Sequence, residues 1–147
     1  MKTKEVKAKH EAWLNAETMH NSSLKWLSEL KFAKDEQLFF DDLVKYYTIQ
    51  LIASKYFNKS KKIVTKLSDL QEKTDSLINT IIEHEKGLKI MVDTINQLDE
   101  EEIHKKEHRK LIITVSYFLE KYRAFKAELF SLVKGIIKEG KQKRLLQ

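Results

Sequence analysis

The sequence predicts an all-α fold, an antiparallel bundle of three long coiled-coil-like helices with an N-terminal helical extension. Three observations lead there. Proline is absent from the 147 residues and glycine stands only at 87, 135 and 140, whereas the turns of a sheet protein draw on both for their special backbone angles. Leu, Lys and Glu, all good helix formers, recur throughout. Apolar residues return in alternating steps of four and three, the spacing of a coiled-coil seam.

The elements follow in order. Residues 4–20, with Trp13 and Leu14, form an amphipathic segment that either continues the first long helix or breaks near "HNSS" and folds back as a short fourth helix. The first long helix is expected over 22–57, along the looser seam Trp26, Leu30, Ala33, Gln37, Phe40, Val44, Tyr47, Leu51 and Ser54. Asn58 and Ser60 in "YFNKSKK" supply the connection to a second helix over 61–97. Its seam reads Ile63, Leu67, Leu70, Thr74, Leu77, Ile81, His84, Leu88, Met91, Ile95, Leu98. Asp99 as N-cap, with Glu102 three residues on, makes a capping box for a third helix over 100–140. That seam runs His104, His108, Leu111, Val115, Phe118, Tyr122, Phe125, Leu129, Leu132, Ile136, and Gly140 is the expected C-terminal stop before a basic tail, 141–147. Helices of this length span about 45–60 Å at 1.5 Å per residue, and short connections make neighbours antiparallel. The whole reads as a single domain.

The segment "LFFDDLVKYYTIQLIASKYF" (38–57) departs from a single stripe, being apolar on nearly every side. Such a helix is normally buried all round. In a three-helix bundle one flank would stay wet, leaving Leu38, Phe39, Tyr46 and Ile49 as an interface for a second copy or a partner protein, unless the N-terminal segment covers it. The motif "WLSELKFAKDE" (26–36), followed by long heptad helices, resembles a group of small, uncharacterised, all-helical bacterial proteins across roughly residues 20–140. The resemblance implies the same architecture and carries no known activity.

In "DEEEIHKKEHRKL" (99–111) His104 and His108 lie one helical turn apart, with Glu101 three residues before the first. Glu17-x-x-His20 repeats the spacing, and paired Glu-x-x-His motifs hold the metals of di-iron carboxylate bundles. Here, however, both motifs sit at one end of the chain's expected fold, and Glu101 in a first turn is explained by the helix dipole alone. A mononuclear site from His104, His108 and either His20 or Asp93, with Glu101 of the same motif as a further candidate ligand, competes with a plainer reading, half-buried seam histidines. Antiparallel pairing puts His104 and His108 near Met91, Asp93, Trp26 and Leu30. It puts His84 level with Ala33 and Gln37, and a buried imidazole needs a partner, for which Gln37 is the candidate.

Charge has a direction. The net charge is +6, and Lys55, Lys59, Lys61, Lys62 and Lys66 gather around the first connection. Lys134, Lys138, Lys141, Lys143 and Arg144 end the third helix, which returns to the same pole. One continuous basic surface is expected, suited to acidic partners or a nucleic acid backbone, although no recognition helix or stacking platform accompanies it. There are no cysteines, hence no disulfides, thiolate metal sites or cysteine nucleophiles. No glycine-rich phosphate loop occurs, Asp41 and Asp42 point apart on successive helical positions, and no cofactor is expected. With no signal peptide or membrane-spanning run expected, the sequence describes a cytoplasmic, non-catalytic bundle. It works through its helix faces as a scaffold or by self-association, with metal binding and nucleic-acid contact as the alternatives.

Overall fold

The computed structural model describes residues 15–53, 55–93 and 98–146, so the N-terminal segment with Trp13 and Leu14 lies outside the described residues. Four helices follow one another: α1 (Ala16–Tyr46), α2 (Thr48–Leu51), α3 (Phe57–Asp93) and α4 (Leu98–Leu145). Among the described residues the protein is an all-α bundle, and no helix is long and apolar enough to cross a membrane.

The start of α1 is written in Asn15, whose Oδ1 accepts the Thr18 amide at 2.8 Å and so occupies one of the N–H groups a helix start leaves free. The helix passes unbroken through His20–Ser23, the stretch where a break was the alternative, and the buried Ser23 hydroxyl donates back to the Met19 carbonyl. Residue 57 is not reached. α1 ends at Tyr46, and the chain turns through the one-turn α2 before α3 begins. The cause is local: Tyr46, Tyr47, Thr48 and Ile49 are all weak helix formers, and the Thr48 hydroxyl bonds both the Val44 and Lys45 carbonyls, at 3.1 and 2.8 Å, a back-bonding that bends helices.

Three further boundaries differ from expectation. α4 begins at Leu98, so Asp99, expected as the N-cap of a helix over 100–140, lies inside its first turn. Asn58 and Ser60 lie inside the first turn of α3 rather than in the connection. Gly140 does not stop α4, which continues to Leu145 with Lys143 and Arg144 in its last turn. A Cβ at Gly140 would meet nothing within 4 Å and its backbone is not left-handed, so no steric demand ends the helix there.

The chain divides into two compact units. Unit 1 takes Met1–Phe32 and Asp75–Tyr117, and unit 2 takes Ala33–Thr74 and Phe118–Gln147. Each contains a segment of α1, α3 and α4. In unit 2, Gln37 donates to Thr74 at 2.8 Å and Gln71 to Asp41 at 2.8 Å, so α1 and α3 run antiparallel. Lys66 of α3 reaches Glu128 of α4, and Lys55, just ahead of α3, reaches Glu139 further along α4, so α3 and α4 are antiparallel as well. Phe40 sits at the centre of this core, its ring 6.4, 6.2 and 5.7 Å from those of Tyr122, Phe125 and Phe130. The buried Tyr122 hydroxyl faces the Ala33 carbonyl and Glu36, each at 3.2 Å. Burial raises its pKa, with the nearby Glu36 charge adding to the effect.

Unit 1 has a smaller apolar core, in which Met19, Leu30, Ile81, Leu88 and Val115 are almost completely buried. Beside them it buries His84, His108, Ser23 and Glu85. A core this polar is costly unless its groups find partners. Those partners define the candidate site.

Candidate metal centre

The site grows out of the α3–α4 seam of unit 1. His84 occupies a seam position on α3, between Ile81 and Leu88. On α4, His104 and His108 stand one turn apart, so both face the same side, and Glu107 lies beside them. Gly87, one turn beyond His84, is what lets α4 come close: a Cβ there would collide with the His104 ring. Glycine costs helix stability in such a position, and here it yields space for an imidazole.

His84 is bonded on both ring nitrogens. Nδ1 lies 2.9 Å from Glu107 Oε1, and Nε2 lies 3.0 Å from His108 Nδ1. A carboxylate only accepts, so His84 Nδ1–H donates to Glu107. In the neutral ring Nε2 then carries the lone pair, and His108 Nδ1–H donates to it. The rings of His84 and His108 stack at 5.2 Å, and Trp26 from α1 stacks on the other histidine at 4.8 Å. Burial pushes the His108 pKa down to about 4, helped by the charge of His84. Burial also lowers His84, against the pull of Glu107. Both rings are therefore neutral at neutral pH, the form that ligates metals.

His104 completes the group. Its Nδ1 is buried and has no hydrogen-bond partner among the described residues. A buried imidazole nitrogen left alone is an exception that calls for an unseen water or ion. One donor atom from each of His84, His104 and Glu107 lies within 4.8 Å of the other two. Bonds of about 2.0–2.2 Å in tetrahedral geometry put donors about 3.3–3.6 Å apart, so holding one cation would require the three to close by up to about 1.5 Å.

The donor set differs from the sequence expectation. Of His20, His104, His108 and Glu101, only His104 belongs to the group. His20 Nδ1 pairs with the buried Glu85 instead. Glu101 faces Lys105 at 3.4 Å along its own helix. His108 holds His84 from behind. His84 is buried, as its seam position predicts, but its partners are Glu107 and His108, while Gln37 donates to Thr74. Gln37 belongs to unit 2, where Thr74 of the same unit is its partner, and His84 belongs to unit 1. Glu85 and Glu107 went unremarked in the sequence, where each reads as one more helical glutamate. His84-Glu85 facing His104-x-x-Glu107-His108 is the pattern that could have shown them.

The other expected surfaces lie in unit 2. Leu38, Phe39, Tyr46 and Ile49 are all exposed, the last two by 79% and 81%. Lys55, Lys59, Lys61, Lys62, Lys134, Lys138, Lys141, Lys143 and Arg144 are exposed as well. The two basic segments meet at Glu139, whose carboxylate accepts from Lys55 and Tyr56 and is held below its usual pKa first by the Lys55 hydrogen bond, with Lys143 contributing. Comparison of the chain with protein-family models, curated proteins and solved structures finds no match.

Proposed function

We propose that unit 1 binds one divalent transition-metal ion through His84, His104 and Glu107, and that the protein is a non-catalytic, metal-stabilised helical bundle. The observation that carries this reading is the buried His104 Nδ1, without a hydrogen-bond partner among the described residues, beside two further donors. Two imidazoles and a carboxylate, with no thiolate in the chain, suit zinc or a neighbouring late first-row ion.

The surrounding residues supply what such a site needs. An ion taking His84 Nδ1 and Glu107 Oε1 would displace the proton now between them to the second nitrogen of the same ring, and since His84 and His108 are already neutral at neutral pH no net proton is released there. The His84 proton then sits on Nε2 and is donated to His108 Nδ1 at 3.0 Å, the His108 proton moving to that ring's other nitrogen. A ligating histidine is normally fixed in this way through its second nitrogen. Trp26 keeps the His108 ring in its plane. Because the donors come from α3 and α4, the ion ties the two helices together.

Thermal unfolding of chelator-treated full-length protein, with and without added zinc, tests the reading. An ion that binds only the folded chain at a hundred times its Kd adds about 2.7 kcal/mol. A clear rise in melting temperature is expected for the wild type and for Glu101→Gln, and none for His104→Gln. An equal rise in all three would remove the assignment.

A second reading has its own observation. The exposure of Leu38, Phe39, Tyr46 and Ile49 favours a protein partner or self-association through unit 2, as large apolar patches usually mark interfaces. Light scattering over a concentration series reads this directly. A single monomeric mass throughout speaks against self-association.

A further inference from the structure

A different face of unit 2 joins apolar side chains to lysines. Phe57, Lys61 and Val64 lie in steps of four and three on α3, hence on one face. With Leu51 and Ile52 they line an open apolar groove of about 290 Å³. Ile52 is 62% exposed, and Phe57 and Val64 are each about half exposed. An adjoining groove of about 580 Å³ shares Lys61 and Thr65 with the first and adds Lys62 and Lys66. Two carboxylates nearby are occupied: Glu128 by Lys66 at 2.9 Å, and Glu139 by Lys55 and Tyr56 at 2.6 and 2.7 Å. Among the described residues no carboxylate pairs with Lys59, Lys61 or Lys62.

We infer that this face docks on a lipid bilayer surface carrying anionic headgroups. Both halves of the surface are then used. The lysines meet the negative surface potential, and Ile52, Phe57 and Val64 enter the boundary between headgroups and acyl chains, the arrangement of interfacial helices. A phosphate backbone would engage the lysines and leave the apolar side chains in water. A second copy related by a two-fold axis would set the same lysines against each other, and like charges in contact repel. The protein lies on the surface rather than across it, since no helix among the described residues is long and apolar enough to span.

The test is co-sedimentation of the full-length chain with vesicles of mixed phosphatidylcholine and phosphatidylglycerol, and with phosphatidylcholine alone. Binding to the mixed vesicles only is expected, weakening as salt shortens the screening length. Lys61→Glu with Lys62→Glu should lower the partition roughly tenfold or more. Ile52→Ser with Val64→Ser should lower it roughly tenfold as well. All four positions are exposed, and circular dichroism confirms that each variant keeps its helices. Equal binding to both vesicle types, or binding to neither, overturns the inference. So does binding that the lysine reversals abolish and the Ile52 and Val64 changes leave untouched, the pattern of a general polyanion surface that would equally retain duplex DNA.

Discussion

At Gly87 the side chain is a single hydrogen, and the His104 ring occupies the space that a methyl group would take. Gly87→Ala therefore separates fold from site. Alanine favours a helix interior by about 1 kcal/mol over glycine, which offsets the collision because the half-buried His104 ring can swing outward. The metal-free melting temperature is expected to hold or rise, while zinc affinity falls at least about tenfold. Thermal scans and a zinc titration of the same variant measure both. His108 supports a second prediction. Its folded pKa of about 4 lies below the 6.5 of an ordinary histidine, so the unfolded chain binds more protons between those values. Stability contributed by the neutral ring is complete above about pH 6.5 and is lost as pH falls toward 4. Buried His84 shifts in the same direction. Metal-free melting temperature should decline across that window, and His108→Leu should flatten the decline. The histidine pair at 104 and 108 was legible in the sequence because its spacing is one helical turn. Glu107 was not, since choosing it among the glutamates of "DEEEIHKKEH" requires knowing which face of α4 meets α3.

The seams of α3 and α4 were legible nearly residue by residue. From His108 to Ile136 every seam position is buried, and from Ile63 to Leu88 only Leu70 is partly exposed. Alternating steps of four and three hold one stripe inward over many turns, so each position confirms its neighbours. α1 was harder. Its segment 38–57 is apolar on several sides, which erases the period that would mark its end, and the bend at Thr48 arises from a hydroxyl-to-carbonyl bond that composition does not reveal. Gln37 pairs with Thr74, buried at a polar contact of 2.8 Å, where Thr74 also donates to the Leu70 carbonyl. Thr74→Val strands the Gln37 amide and should cost about 1–3 kcal/mol in urea unfolding. Adding Gln37→Leu removes both polar partners and should recover most of that loss. If the double variant proves less stable than the single one, the pair contributes more than its own hydrogen bond.

At the scale of the whole molecule, composition alone carried the fold class. A chain without proline, with three glycines and with a third of its residues charged has few ways to bury a core except between long helices. Composition is silent about where polar groups converge. The cluster in unit 1 depends on α3 and α4 meeting at one register, with Gly87 opposite His104 and His84 between Glu107 and His108. The net charge of +6 likewise says nothing of position, whereas the structure pairs Glu128 and Glu139 with lysines and leaves Lys61 and Lys62 outward. The proposed metal site rests on His84, His104 and Glu107 acting on one ion. The most direct measurement is calorimetric titration of zinc into the chelator-treated full-length protein at neutral pH. The expected result is one ion per chain, with binding abolished by Glu107→Gln and by His104→Gln and retained in His20→Ala. Absence of binding to the wild type, or full binding after both Glu107 and His104 are replaced, would contradict it.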